Sequence, residues 1–107
     1  MIINSKNMAT YYTVDGELHE VKPENGKWFT YAELRDFVGG LVEIVPLPDG
    51  RSIIVNEEGK LNNLPENPGA TAFWKEVYPI AKYPMNNDEL IVGNALVVTE
   101  DELEQEE

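Results

Sequence analysis

The fold is decided by the apolar run Leu90-Ile91-Val92-Gly93-Asn94-Ala95-Leu96-Val97-Val98-Thr99. Apart from Gly93 and Asn94, the run is almost continuously apolar and rich in β-branched residues, which favours a β-strand. A strand that is apolar on both faces is typical of the centre of a sheet covered on both sides. We therefore expect a long central strand, with a bulge or bend at Gly93-Asn94.

Two hairpins are predicted upstream of this strand. The first lies within residues 9–21, around Asp15-Gly16. An Asp-Gly pair is favoured there because a type I′ turn needs positive φ at both central positions. The second lies within residues 41–56, and Pro46 indicates that its first strand has a free edge at that point.

The register of the second hairpin stays open at this point. A two-residue loop would pair Ile44 with Val55, whereas a three-residue loop would pair Val45 with Ile53. A slip of one residue moves every side chain to the other face of the sheet. The sequence therefore does not decide which residues of 41–56 face each helix.

Two short helices are predicted between the strand pairs. Thr30 and Glu33 have the spacing of a capping box, and Gly39-Gly40 ends that helix because glycine enters the left-handed conformation without steric cost. Asn67-Pro68 begins the second helix, and Pro79 ends it. The apolar residues at helical spacing are Tyr31, Leu34, Phe37 and Val38 in the first helix and Ala70, Phe73, Trp74 and Val77 in the second.

Together these elements predict an α+β fold, with an antiparallel or mixed sheet of about five strands and two short helices packed on it. We expect one domain over residues 1–99, followed by an acidic, flexible tail over residues 100–107. Six of the 20 acidic residues lie in that tail. The tail either binds a basic partner or only raises solubility.

The composition of the 107 residues excludes several classes of protein. Apolar residues make up 42% of the chain, which is too many for a disordered protein. There is no cysteine, so disulfides, thiolate metal sites and a cysteine nucleophile are excluded. No export signal and no run of apolar residues long enough to cross a membrane is present, which favours a cytoplasmic protein.

A net charge of −12 disfavours direct binding to nucleic acid or to an anionic membrane. The sequence patterns that could indicate a catalytic or metal-binding site are also weak. His19 is the single histidine, Glu57-Glu58 and Asp88-Glu89 are isolated acidic pairs, and Glu43 is an acid within an apolar strand. None of these makes a catalytic, cofactor or metal site by its pattern, so we predict no catalytic residue, no cofactor and no metal ligand.

Several ordered motifs resemble a family of small proteins from phages, plasmids and gut-type bacteria that is catalogued as a domain of unknown function. The motifs are Val38-Gly39-Gly40, Val42-Glu43, Val55-Asn56-Glu57-Glu58-Gly59-Lys60-Leu61, Leu64-Pro65-Glu66-Asn67, Ala70-Thr71 and Ile91-Val92-Gly93-Asn94. The Asp15-Gly16 hairpin resembles the family's N-terminal segment, whereas residues 1–8 and the acidic tail look peculiar to this chain. The resemblance implies no activity, cofactor or catalytic residue.

The shared run from residue 56 to residue 71 holds more polar residues than packing requires. Asn56, Glu57, Lys60, Asn63 and Asn67 are therefore the candidates for a partner-binding surface. The alternative is structural: the polar residues of this run would then form turns and the cap of the second helix.

The leading hypothesis for function is a small, non-enzymatic protein-binding module of mobile-element type, whose unidentified partner is a basic protein. A special form is a DNA mimic acting against host defence, which requires the acids to form an array on the folded body. A second hypothesis is a ligand-binding domain or small carboxylate-based enzyme that uses the 56–71 segment. It predicts a concave pocket containing Glu43, Glu57 or Glu58 with a perturbed pKa. A third is a homodimer formed through an exposed strand edge.

Overall fold

The computed structural model describes residues 9–77 and 90–103. Its centre is a five-stranded sheet with the order β2-β1-β5-β4-β3. Every pair of neighbouring strands is antiparallel, so the predicted α+β fold is confirmed and its sheet is of the antiparallel kind. The strands are β1 (Ala9–Tyr12), β2 (Leu18–Val21), β3 (Val42–Pro46), β4 (Arg51–Asn56) and β5 (Ala95–Thr99).

The two helices pack on opposite faces of the sheet. Helix α1 (Tyr31–Val38) covers the apolar cluster that contains Ile54 and Leu96. Helix α2 (Pro68–Val77) covers a second cluster on the other face, built on alternate residues of the same strands. Strand β5 is therefore central and buried on both faces, as its continuous apolarity predicts. No helix within the described ranges is long and apolar enough to cross a membrane.

Both ends of α1 follow the predicted capping pattern. The Thr30 hydroxyl accepts from Glu33 N, and the Glu33 carboxylate accepts from Thr30 N. Gly39 ends the helix at a φ of 77°, in the left-handed region. The predicted apolar face needs one correction: Tyr31 is 49% exposed. The buried stripe is instead rotated toward Phe37, whose ring packs edge-on against those of Tyr11 and Phe29.

The second hairpin adopts the three-residue loop, and Val45 pairs with Ile53. The N–H of Leu47 donates to Arg51 O over 2.7 Å and closes the loop. This register puts Ile44 opposite Ile54, on the face that carries α1. Because side chains alternate along a strand, Glu43 and Val45 lie on the α2 face.

A buried asparagine joins α2 to the bend before β5. Asn67 is fully buried and caps α2, its Oδ1 accepting from Ala70 N at 3.1 Å. Its Nδ2 donates to Tyr12 O at 3.0 Å and to Gly93 O at 2.9 Å. Gly93 has a φ of 77°, which confirms the predicted bend and explains why β5 begins only at Ala95.

The sheet continues into the start of the acidic C-terminal segment. Residues Glu100–Glu102 form one turn of 3₁₀-helix, and Glu102 is only 1% exposed. The N–H of Phe29 donates to Glu102 O over 2.7 Å, and Leu103 forms a parallel β-bridge with Phe29. Residues 100–103 of the expected tail thus belong to the fold, because their backbone pairs with the segment before α1. The remainder of that tail and the predicted helix stop at Pro79 lie outside the described residues.

Candidate functional site

A cavity of about 300 Å³ lies on the α2 face of the sheet, beside the edge strand β3. Its walls come from β3, β4, the turn that follows β4, helix α2 and the segment before β5. The lining residues are Glu43, Val45, Val55, Asn56, Glu57, Lys60, Trp74, Leu90, Ile91 and Val92.

The floor of the cavity is apolar because it is the margin of a core cluster. Val55 and Ile91 belong to the cluster beneath α2, and Val45 and Trp74 pack against it half-buried. Helix α2 leaves this margin of the sheet open. An apolar surface of this kind is stabilised when a ligand excludes water from it.

The rim of the cavity is charged. Glu43, Glu57 and Lys60 all line it, and all three residues are exposed. Two carboxylates and one ammonium group give the rim a net negative charge at neutral pH. The cavity therefore offers apolar contact below and electrostatic attraction for a cation at its mouth.

The turn after β4 is built to hold this wall in place. Glu57 N donates to Leu41 O at 2.8 Å, and Gly59 N donates to Asn56 O at 3.1 Å. A Cβ on Gly59 would lie 2.9 Å from Val92 Cγ2, so glycine is needed for the turn to pack against the opposite wall.

The five candidate surface residues separate into three groups. Asn56 and Asn67 are buried connectors: Asn56 Nδ2 donates to Val38 O at 3.1 Å, and its Oδ1 accepts from Glu58 N at 2.8 Å. Asn63 is exposed in the turn and has a φ of 55°, a conformation that asparagine tolerates. Glu57 and Lys60 alone combine exposure with a place in the cavity wall.

The chain matches the model of a protein family over residues 9–107, and the description of that family is Domain of unknown function (DUF3846). The chain belongs to this family. The expected membership of a domain-of-unknown-function family is therefore confirmed. The acidic segment after Thr99 lies within the matched range, so the expectation that it is peculiar to this chain is wrong. Comparisons with curated proteins and with solved structures gave no match.

In this DUF3846 domain, the cavity residues that the sequence did not single out lie on β3 and α2, and not in the turn after β4. Val45 and Trp74 were recognised only as strand and helix residues, yet both line it. Glu43 was named in the small-ligand hypothesis, and it is exposed in the wall of the cavity. The register of β3 with β4 would have placed Glu43 and Val45 on the α2 face. The turn sequence left that register open.

Acidic side chains of the DUF3846 domain are dispersed over the described residues. Glu20 lies on edge strand β2 and Glu43 on the opposite edge strand β3. Asp36 and Glu76 are exposed on helices that cover opposite faces of the sheet. These four acids therefore lie on different edges and faces of the described sheet, and not on one surface.

Of the described residues considered for catalysis or metal binding, Glu43 and Glu57 share the cavity, whereas His19 is not among its lining residues. His19 is exposed on β2, and its Nε2 lies 3.0 Å from Glu17 Oε1. Residues 9–77 and 90–103 contain no group of three or more His, Cys, Asp or Glu side chains that would hold a metal ion. The pair Asp88-Glu89 lies outside the described residues.

A second depression, of about 360 Å³, lies on the outer side of α1. Its lining comes from one helix and its C-cap, namely Ala32, Arg35, Asp36, Gly39 and Gly40. It has no apolar floor from the sheet and includes none of the five candidates. The cavity beside β3 is therefore the stronger candidate site.

Proposed function

We propose that this chain is a non-enzymatic, cytoplasmic binding module that holds an extended segment of a basic protein partner along β3. One side chain of that segment enters the cavity on the α2 face. The observation that carries this proposal is that β3, the outermost strand of the sheet formed by the described residues, also forms a wall of the cavity. Addition of a partner strand to a sheet edge is a recurring mode of peptide recognition.

The hydrogen-bond pattern of β3 supports the proposal. Leu47 N donates to Arg51 O and Glu57 N donates to Leu41 O, so the odd-numbered residues of β3 bond to β4. In an antiparallel ladder the intervening residues direct their backbone groups the other way. Val42 and Ile44 therefore present their N–H groups away from the sheet. Pro46 has no N–H and already has an interaction of its own, so the donors that this edge offers are those of Val42 and Ile44.

The side chains along β3 support recognition on both faces of the sheet. Ile44 is 49% exposed on the α1 face and offers an apolar contact. Glu43 and Val45 lie on the α2 face in the wall of the cavity. Side chains of an added strand alternate in the same way, so every second one would reach the mouth of the cavity.

Charge favours a basic protein over a second copy of this chain as the occupant. Two copies would each carry a net charge of −12 and repel one another, most strongly at low salt. A basic segment would be attracted by the same charge. The resemblance to phage and plasmid proteins suggests that the partner is encoded by the host or by a mobile element.

A second candidate function is the binding of a free small molecule in the cavity. Its volume of about 300 Å³ is at the lower end of ligand pockets, roughly 300–1,000 Å³. The cavity contains Glu43 and Glu57, two of the three acids that the small-ligand hypothesis names. This alternative makes no use of the backbone groups of β3, and that difference separates the two functions experimentally.

The test is a selection of linear peptides from a randomised displayed library against the wild-type chain. We expect the selected peptides to be basic and to bind less tightly as salt is raised. Ile44→Pro, which removes one outward N–H, should abolish their binding. Ile44→Thr also removes the apolar side chain but keeps the N–H, and it should retain most of the affinity.

Three outcomes would contradict the proposal. The selection yields no binders, or the selected peptides bind Ile44→Pro as tightly as the wild type. The third is a homodimer detected by sedimentation and lost in Ile44→Pro, which would make a second copy the occupant of the edge.

A further inference from the structure

The cavity beside β3 has the chemistry of a pocket for a long cationic side chain. Val55 and Trp74 provide apolar contact at its floor, and Glu43 and Glu57 provide carboxylates at its rim. A side chain with an aliphatic stem and a charged end would bury the stem and keep the charge at the mouth.

We infer that this cavity is an arginine-selective pocket, in which the aliphatic stem of the arginine contacts Val55 and Trp74 and its guanidinium binds Glu43 and Glu57. The inference rests on the proposed function, because it names the residue that the partner's extended segment inserts. A strand residue opposite Glu43 directs its side chain to the same face as Glu43, so an arginine there lies beside the cavity.

Arginine is favoured over lysine by the geometry of its charged group. A planar guanidinium carries five donors and bonds two carboxylates at once, whereas an ammonium acts as a point charge. Lys60 is an exposed cation on the same rim, so its positive charge repels a cationic ligand.

The experiment follows the fluorescence of Trp74 while N-acetylarginine amide is added. The chain has two tryptophans, so the Trp28→Phe variant makes Trp74 the single reporter. N-acetylcitrulline amide is the matched probe, because it has nearly the same shape without the charge. We expect a saturable change with the arginine probe, binding at least tenfold weaker with citrulline, and intermediate binding with N-acetyllysine amide.

Substitutions at the rim provide the second arm. Glu43→Gln and Glu57→Gln should each weaken binding of the arginine probe about three- to fivefold, as expected for partly exposed charge pairs. Lys60→Met should strengthen it by a similar factor. Glu20→Gln removes the same charge from the opposite sheet edge and should leave binding unchanged. All four residues are exposed, so the variants should fold like the wild type.

The inference is overturned if the arginine probe produces no saturable change, or if citrulline or norleucine amide binds as tightly. Its failure is distinguishable from failure of the proposed function. The arginine probe should bind Ile44→Pro normally, because it does not use the strand edge, whereas selected peptides should not. If the selected peptides lose binding to Ile44→Pro but the arginine probe does not bind the wild type, the proposed binding at the β3 edge is supported and the arginine pocket is rejected.

Discussion

Glu33 and Glu102 make the same pair of hydrogen bonds in two different places. Glu33 Oε1 accepts from the amide of Thr30 at 2.8 Å and from its hydroxyl at 3.1 Å. Glu102 Oε1 accepts from the amide and hydroxyl of Thr99 at the same distances. The two motifs are adjacent, because Phe29 N donates to Glu102 O. A recurring Thr-x-x-Glu pattern therefore ties the start of α1 to the end of β5.

The environments of the two carboxylates differ, and their pKa values move in opposite directions. Burial raises the pKa of Glu102, the nearby Asp101 charge adds to the increase, and the bonds from Thr99 oppose it. Partial burial of Glu33 also acts to raise its pKa, but hydrogen bonds from Thr30 and Glu24 outweigh that effect and lower it. The same hydrogen-bond motif thus has opposite consequences for the pH dependence of stability.

We predict that Glu102→Gln raises the free energy of unfolding at pH 7. A carboxyl whose pKa is raised by folding binds its proton more tightly in the native state, so stability falls as pH rises through the folded pKa. Glutamine keeps the acceptor for Thr99 and removes the buried charge. Urea unfolding from pH 3 to pH 8 should show the advantage of the variant at neutral pH and its loss below about pH 4.5.

Glu33→Gln is the matched control, because it alters the same motif where the pKa is lowered. Its wild-type carboxylate stabilises the native state above the unfolded pKa, and this contribution is lost as pH falls through the folded pKa. The variant should therefore be less stable than wild type at pH 7 and approach it at low pH. If both variants changed stability in the same direction at pH 7, the assigned difference between the two sites would be wrong.

Asn67→Ala should be strongly destabilising, although asparagine is usually a surface residue. The substitution removes the α2 cap and leaves the buried carbonyls of Tyr12 and Gly93 without their donor. We expect a loss of about 2–4 kcal/mol in chemical unfolding. Asn67→Asp keeps the capping acceptor and loses the donor, so it separates the two roles.

The control for Asn67 is Asn62→Ala, at an exposed position in the turn after β4. This substitution should change the free energy of unfolding by less than about 0.5 kcal/mol. Equal effects at the two positions would mean that burial and hydrogen bonding of Asn67 contribute nothing to stability.

Local chemistry explains which parts of this fold could be predicted. Thr30 with Glu33, and Asn67 with Pro68, are caps whose partners lie within a few residues, so the sequence contains the whole signal. The bend at Gly93 was predictable for the same reason. The register of the second hairpin could not be predicted. The loop sequence permits either two or three loop residues, and only the packing of the two strands decides whether Val45 pairs with Ile53.

The candidate site was less predictable because its residues meet only through tertiary structure. Glu43 and Trp74 lie on different elements, and neither has a sequence pattern that indicates the other. Asn67 was correctly read as a helix cap. Its bonds to Tyr12 O and Gly93 O join segments far apart in sequence, and this explains why a structural residue was also proposed for a binding surface.

Gly93→Ala should be more destabilising than Gly16→Ala, although both glycines have positive φ. A Cβ at Gly16 meets no atom within 4 Å, so only backbone strain of about 1 kcal/mol is expected there. A Cβ at Gly93 would lie 2.9 Å from Leu64 Cδ1. The excess cost should shrink in a Leu64→Ala background, as measured by a double-mutant cycle of unfolding free energies. An undiminished excess would show that contact with Leu64 is not its cause.

Proline substitutions test the register of β3, on which the proposed edge depends. Val45 pairs with Ile53 and directs its N–H toward β4, so Val45→Pro removes a hydrogen bond inside the sheet. It should cost about 1–3 kcal/mol, because a carbonyl of β4 loses its donor. Ile44 directs its N–H outward, and Ile44→Pro should cost much less because proline is tolerated at sheet edges. Thermal unfolding compares the two variants directly. If Ile44→Pro proved the more damaging, the register would be shifted by one residue, and Glu43 would no longer lie in the wall of the cavity.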